Sequence, residues 1–458
     1  MMTIVIVGAG DVGQYIASLL SKEEHNIVLI DKNGKILQEA TRYLDVATRH
    51  GSGTDWQLLD DLLELSPQLL IALTEDDEVN MVACCIAKHL GYPRTIARVR
   101  DNHFLNRMRL DFGRIFDVDY FIGPELLVAH EILKYMVSPG SIQVENFAQG
   151  AVQLRTLSIP ARWNKGNVKL KDLALPAGAI VSLIRRFVPN EDNQIDETDF
   201  TLIFPHGDDV ILPRDEVTLI GETPTITEIH HFFGIGSQVI KSIVIVGGSL
   251  TAINLARLLE YRPVDVKIIE KDFNTCAMLA DTLPNCTIVH HDATDLDFLR
   301  SEKVGSSELL VACTRHDDTN LLCALLAQEA GCPNALIVIN NTSYTPLLTT
   351  LGINYAVSPR ISAANHILSQ LFAGTISSLI SLYDNQARVM EINVPIDSEV
   401  AGIPLSELGP LLPQDFLIVM IQNRGRIMVA NGSRIISPGD TVIAITHAKH
   451  VPELQKIF

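Results

Sequence analysis

Gly8-Ala9-Gly10-Asp11-Val12-Gly13 has the spacing G-x-G-x-x-G, follows the apolar run Ile4-Val5-Ile6-Val7 and opens a helical stretch. An acid, Asp31, stands 18 residues after Gly13, at the end of the next apolar run. That is the context in which a strand-to-helix loop holds a dinucleotide or an adenine nucleotide. Gly8 permits the tight turn, Gly10 lets the backbone approach a pyrophosphate, and Gly13 lets the helix pack on the strand. The helix N-terminus offers unpaired N–H groups to the phosphates. Asp31 would accept hydrogen bonds from ribose hydroxyls and repel a 2′-phosphate, which favours NAD or an adenine nucleotide over NADP. Lys32 offsets part of that repulsion. The competing reading is a tight turn with no ligand.

The same constellation recurs in weaker form. Gly247-Gly248-Ser249-Leu250-Thr251-Ala252 keeps the first glycine but has Ser and Ala at the second and third, and Glu270 again follows 18 residues later. Ser249 adds a Cβ where backbone should meet phosphate, though its hydroxyl can hydrogen-bond one. A working site and a purely structural turn both fit.

Other residues fall at the strand ends where open α/β sheets bind ligands. Arg98 and Arg100 lie two apart near the end of Thr95–Val99, on one face, where forked guanidinium groups can grip terminal phosphates. A solvated pair facing Asp101 or another acid is the alternative. The second copy has Val338 and Asn340 there, so any such grip exists once per chain. Gly53-Thr54-Asp55 and Thr294-Asp295 lie in a loop that can line an adenine pocket or cap a helix. Leu73-Thr74 faces the same crevice, with helix capping as the alternative for Thr74. In His290-His291-Asp292 the adjacent imidazoles point to opposite strand faces, so no metal site is expected. No G-x-S-x-G, H-E-x-x-H or P-loop lysine occurs, and no catalytic set is assigned. The 7 cysteines are unpatterned and sit in apolar contexts, as reduced core thiols do.

The elements that position these residues are duplicated. Ile4–Gly10 matches Ile243–Ser249 at a shift of 239, and Thr74-Glu75-Asp76-Asp77 through Gly91-Tyr92-Pro93 matches Thr314–Pro333 at 240. Pro124, Ile132 and Leu133 match Pro359, Ile367 and Leu368 at 235, and Asp215 matches Asp440 at 225. Collinear matches of this kind indicate duplication of a two-part unit. In the first part, strands Thr3–Val7, Ile27–Ile30, Leu69–Leu73 and Thr95–Val99 alternate with helices such as Gly13–Leu20 and Val79–Leu90. Such alternation predicts a Rossmann-like, doubly wound parallel sheet. A helix follows in each copy, Pro124–Met136 and Ser362–Leu379. The remainder, broken by turns such as Phe204–Asp208, Asn423-Arg424-Gly425 and Ser437–Asp440, predicts small strand-rich domains. The expected domains are therefore residues 1–140, 141–230, 240–380 and 384–458.

With 458 residues the chain exceeds a single core. Its 36 basic against 54 acidic residues give a net charge of −18, which argues against nucleic acid as a partner. No run of about 18 apolar residues spans a membrane and no signal peptide is read, so a soluble cytoplasmic protein is expected.

The tandem glycine loops, the acids Asp31 and Glu270, the repeated Thr-Asp pairs and the Gly91-Tyr92-Pro93 turn together resemble the TrkA family, built from RCK (KTN) domains, over essentially the whole chain. The resemblance implies a regulator, not an enzyme: a peripheral cytoplasmic subunit that assembles into a ring, typically tetrameric, beneath a membrane-embedded Trk-type potassium channel subunit. NAD(H) and ATP or ADP in the crevices would set the gate. It assigns Gly8 through Asp11, Asp31, Leu73, Thr74 and Arg98 to the first site. Gly247 through Thr251, Glu270 and Cys313 go to the second. An NAD-dependent oxidoreductase with duplicated Rossmann domains is the alternative.

Overall fold

Five residues of which four are β-branched and apolar, Thr3–Val7, form β1, and Ile4 through Val7 are buried on both faces. That is the signature of a central strand in a parallel sheet. The computed structural model describes residues 2–22, 25–106, 109–137, 141–189, 195–236, 240–341, 344–353, 355–371, 376–383, 386–410, 412–413, 415–423 and 425–458. After β1 come α1 (Asp11–Lys22), β2 (Asn26–Asp31), α2 (Gly34–Tyr43), β3 (Ala47–His50), α3 (Trp56–Asp61), β4 (Leu69–Ala72), α4 (Asp77–Leu90), β5 (Arg94–Arg98), α5 (Phe112–Ile115) and β6 (Tyr120–Ile122). The strands are parallel in the order β3-β2-β1-β4-β5-β6. That order reverses beside β1, and the crevice at such a switch point is where ligands sit.

Two side chains fasten the ends of these strands. Asn80, fully buried on α4, donates from Nδ2 to the carbonyls of Thr74 and Arg98, both at 3.0 Å, and its Oδ1 accepts from Thr74 N–H and Oγ1. The Asp77 carboxylate accepts from the backbone N–H groups of Arg100 and Asp101, all at 2.9 Å. Asn320 and Asp317 repeat both devices in the second copy. The helix cap is Asp76, whose side chain accepts from Val79 N–H at 2.9 Å. Thr74 lies two residues too early to cap and instead closes the loop onto Asn80.

Next come α6 (Pro124–Val137) and a second sheet of β7 (Ser141–Phe147), β8 (Val152–Ser158), β9 (Ala179–Pro189), β10 (Ile195–Ile203) and β11 (Glu216–Glu222). It is antiparallel, in the order β10-β9-β11-β8-β7. Short helices α7 (Thr223–Thr227) and α8 (Ile229–Phe232) end the first copy. The second copy repeats the plan with β12 (Ser242–Val246), α9 (Leu250–Leu259), β13 (Asp265–Glu270), α10 (Phe273–Thr282), β14 (Thr287–His290), α11 (Leu296–Ser301), β15 (Leu309–Ala312), α12 (Asp317–Glu329), β16 (Ala335–Val338), α13 (Thr345–Thr350), β17 (Tyr355–Val357) and α14 (Pro359–Leu371). Its first sheet runs β14-β13-β12-β15-β16-β17. Its second, antiparallel sheet contains β18 (Ile376–Leu382), β19 (Ala387–Asn393), β20 (Phe416–Asn423), β21 (Arg426–Val429) and β22 (Thr441–His447), ordered β18-β19-β22-β20-β21. Read from the other edge, this is the order of the first antiparallel sheet. The helix α15 (Val451–Ile457) closes the chain.

The polypeptide divides into two units, each taking one part from both copies: residues 1–131, 242–344 and 356–366 in one, and 132–241, 345–355 and 367–458 in the other. In the second unit the two antiparallel sheets share a core in which Phe147, Leu154, Leu183 and Ile220 cluster with Val389, Met420, Ile443 and Ile445. The sequence-predicted helix Ser362–Leu379 is a correction: α14 ends at Leu371, and Ile376–Leu382 is strand. In that strand Ile376, Leu379 and Leu382 are buried between more exposed serines. Strand and helix ends elsewhere shift by one or two residues. The expected boundaries at 140 and 384, and Arg424 of the predicted turn, lie outside the described residues.

Candidate functional site

The first glycine loop is built to leave backbone bare. Gly8 has φ +103°, and a Cβ there would lie 2.9 Å from the Thr74 nitrogen. A Cβ on Gly13 would lie 1.9 Å from the Gly8 carbonyl oxygen, so α1 packs this close only because residue 13 lacks one. Gly10 is different: nothing of the protein lies within 4 Å of its Cβ position. The packing does not need glycine there, and the bare backbone leaves room for a phosphate to approach. Asp31 ends β2 with one carboxylate oxygen accepting from Ala9 N–H at 2.7 Å and the other from Asn33 N–H at 2.8 Å. Loop and acid thus form one rigid assembly whose remaining lone pairs are available to hydroxyls. These residues fit an adenine nucleotide or NAD.

The second copy reproduces the acid and changes the loop. Glu270 accepts from Gly248 N–H at 2.6 Å and Asp272 N–H at 2.8 Å. Gly248 replaces Ala9 because Thr275 and Leu279 occupy the space its Cβ would need, at 2.5 and 3.0 Å. Ser249 caps α9, its Oγ accepting from Ala252 N–H at 3.3 Å. Its hydroxyl is thereby engaged with the helix. The two substitutions are compatible with a site, since this crevice opens into a cavity of about 740 Å³ lined by the loop, Glu270, Cys313 and Thr314. Such a volume suits a nucleotide-sized ligand.

Four residues on this cavity come from the first copy: Val12, Arg98, Arg100 and Glu125. Arg98 Nη2 lies 2.7 Å from Glu125 Oε1, and Arg100 Nε lies 3.8 Å from the same oxygen. The resemblance assigns Arg98 to the first crevice; here its guanidinium lines the second, drawn across by the Glu125 carboxylate at the start of α6. The pair faces an acid, as the alternative reading has it, but Glu125 in place of Asp101; the Arg98 and Glu125 side chains are only 12% and 16% exposed, that of Arg100 35%. Reciprocally, Arg360 at the start of α14 donates to Asp11 in the first loop at 2.8 Å. Sequence reading missed Glu125 and Arg360. Their signal lay in the repeat itself, where Pro124-Glu125 matches Pro359-Arg360 with inverted charge.

The remaining candidates divide. Val12, Leu250 and Thr251 line the second cavity. Leu73 is buried, and its N–H donates to the Val7 carbonyl at 2.7 Å. Gly53 packs where a Cβ would meet Val7 Cγ1 at 2.2 Å, and Thr54 Oγ1 hydrogen-bonds Ser52 Oγ at 2.9 Å. Asp55 and Asp295 are N-caps of α3 and α11. His290 Nε2 bonds the Lys271 carbonyl, while His291 stacks on Phe298 with ring centroids 3.7 Å apart. Burial pushes the Cys313 thiol up to about 12, so it meets the cavity as an inert thiol. Glu228, His230 and His231 bring ligand-type atoms within 4.8 Å of one another. His231 already pairs with Glu228 at 3.3 Å, and His230 Nδ1 with the Thr227 carbonyl at 3.0 Å. Among the described residues no helix is long and apolar enough to cross a membrane.

Comparison with known proteins follows this duplicated architecture. The TrkA-N domain matches residues 4–117 and again 243–359, and the TrkA-C domain matches 389–458. The chain is 31% identical to the Trk system potassium uptake protein TrkA homolog 1 of Methanosarcina mazei over 465 aligned residues, covering 100% of both. It is 30% identical to the Trk system potassium uptake protein TrkA of Haemophilus influenzae, covering 100% of this chain and 98% of the relative. Its fold is similar to the crystal structure of the GsuK RCK domain, with TM-score 0.62 and 17% identity over 100% of this chain and 94% of that one. A structure described as the GsuK channel bound to NAD gives TM-score 0.61 at 17% identity, covering 100% of this chain and 78% of the other. Tandem glycine-loop crevices, each followed by an antiparallel domain and matched over the full length, place this chain in the TrkA family.

Proposed function

We propose that this chain is the regulatory subunit of a Trk-type potassium uptake system, sensing nucleotides in its two Rossmann crevices. The observation that carries the reading is the repeated constellation of a strand-to-helix loop and a backbone-anchored acid, Gly8–Gly13 with Asp31 and Gly247–Ala252 with Glu270. Full-length relatives named Trk system potassium uptake protein TrkA support it. The ligands are NAD(H) and ATP or ADP. The partner is a membrane-embedded potassium-passing subunit, on whose inner face copies of this chain assemble, in our reading as a tetrameric ring. Residues 1–140 and 240–380 act as the sensing domains, and 141–230 and 384–458 as the domains that follow them. The acidic surface suits basic cytoplasmic loops of a membrane partner.

The mechanism is a population shift. A nucleotide that binds two arrangements of the assembly with unequal affinity moves the equilibrium by that difference, and the gate with it. The helices α6 and α14 are the elements that carry the change. A thermal-shift panel of NADH, NAD, ATP and ADP on wild type, Asp31→Ala and Glu270→Ala tests the sensing half. Each acid variant should lose the stabilisation belonging to its own crevice. Potassium flux through the partner tests the other half: ATP and ADP acting equally would count against gating. Steady turnover of NADH would replace the reading with an oxidoreductase.

A further inference from the structure

Away from both crevices, at the end of the first copy, Glu228, His230 and His231 each bring a ligand-type atom within 4.8 Å of the others. His231 Nε2 and Glu228 Oε2 lie 3.3 Å apart, and both side chains are 66% exposed. Two donors bonded at about 2 Å to one tetrahedral ion stand roughly 3.3 Å from each other, so this pair already has the spacing of one edge of a site. His230 is the buried member, 6% exposed. Its Nδ1–H donates to the Thr227 carbonyl at 3.0 Å, and the same carbonyl accepts from Arg155 Nη1 at 3.1 Å. In the neutral ring that donation puts the lone pair on Nε2, which is buried without a hydrogen-bond partner. A carbonyl behind one ring nitrogen and an unused lone pair on the other is how a histidine is oriented toward a metal. The His231 ring lies beside it, with centroids 4.0 Å apart.

The duplication supplies a contrast. At the shift of 225 that relates Asp215 to Asp440, these three residues match Glu453, Gln455 and Lys456. The carboxylate recurs and both imidazoles are absent, so the histidine pair belongs to the first copy alone. The fixed charges acting on the cluster are the Glu228 carboxylate and the Arg155 guanidinium, which offset each other. Such a set holds a cation through nitrogen donors and not through accumulated negative charge. That composition suits Zn²⁺, Co²⁺, Ni²⁺ or Cu²⁺ and disfavours Mg²⁺ and Ca²⁺, which want oxygen ligands. We propose that Glu228, His230 and His231 form a site for a divalent transition-metal ion, with water completing a tetrahedron. His230 stays anchored to Thr227 and presents Nε2. The exposed His231 and Glu228 turn to close on the ion. All three ligands fall within residues 228–231, so the ion clamps the entry to α8 and does not join distant elements.

Titration of the full chain with Co²⁺, after stripping with a chelator and read by visible absorption, tests this. Ligands this close in sequence are also available to the unfolded chain, so binding and not thermal stability is the readout. Wild type should develop tetrahedral d–d bands without the near-ultraviolet thiolate band that the 7 cysteines would give, and Zn²⁺ should displace them. Glu228→Gln and His231→Ala, both at exposed positions, should each weaken Co²⁺ by about tenfold or more, at least the loss that follows removal of an outer-shell partner. His230→Gln with His231→Lys installs the residues of the second copy and should abolish the bands. His447→Gln with His450→Gln, at the other close pair of imidazoles, should leave the titration unchanged. A thiolate band in place of the d–d bands, bands that survive His231→Ala, or bands lost on changing His447 and His450 would each overturn the site. So would a wild type that gives no tetrahedral spectrum.

Discussion

Gly13 and Ala252 occupy equivalent places in the two loops, and their surroundings predict opposite tolerances. Gly13→Ala puts a methyl 1.9 Å from the Gly8 carbonyl oxygen, a backbone atom that cannot swing aside. It should destabilise the protein by roughly 3 kcal/mol, the upper range for overpacking, and weaken the first site. Ala252→Gly relieves no clash and should cost only about 0.5–1 kcal/mol. Chemical denaturation of both variants measures the contrast. The glycines and the acids Asp31 and Glu270 were legible from spacing alone, because loop and acid act through backbone geometry within one βαβ unit. The destination of Arg98 and Arg100 was not. It depends on Glu125 and on which module's cavity lies opposite, and neither is encoded near the arginines themselves.

Among the elements, long buried strands and amphipathic helices were readable because their periods are strong. The three-residue β6 carries too little pattern to announce itself. The misplaced end of α14 has a similar cause: Leu and Ile satisfy helix and strand templates alike. At α8 a titration follows from packing. His230 is only 6% exposed, and burial, then the adjacent His231, holds its imidazole below the ordinary value. As pH falls below about 6.5 the unfolded chain takes up this proton before the folded one, so stability is lost on acidification. Calorimetry should show the thermal midpoint falling between about pH 7 and pH 5.5, with a shallower fall in His230→Gln. His447 and His366, lowered first by burial, act in the same direction and explain why the slope should not vanish.

For the whole molecule, duplication was legible and its consequence for packing was not. Repeat counting gives two successive copies of a two-part unit and is silent on which parts pack together. The structure pairs like with like, both parallel sheets in one unit and both antiparallel sheets in the other. A fragment ending at residue 236 should therefore expose Phe147, Leu154, Leu183 and Ile220, which in the full chain cluster with second-copy residues. It should aggregate or self-associate, whereas the full chain should not; sedimentation of both reads the difference.

That common core also sets a schedule for synthesis. Ile220 and Ile445 belong to one cluster but leave the ribosome 225 residues apart. At about 5–20 residues per second, the first antiparallel domain waits roughly 10–45 seconds for the strands that cover it. During that interval its apolar face is exposed in every nascent chain. A cell making this protein must keep that face from meeting its counterpart on a neighbouring polysome, so chaperone supply during translation, more than the stability of the finished fold, should govern yield.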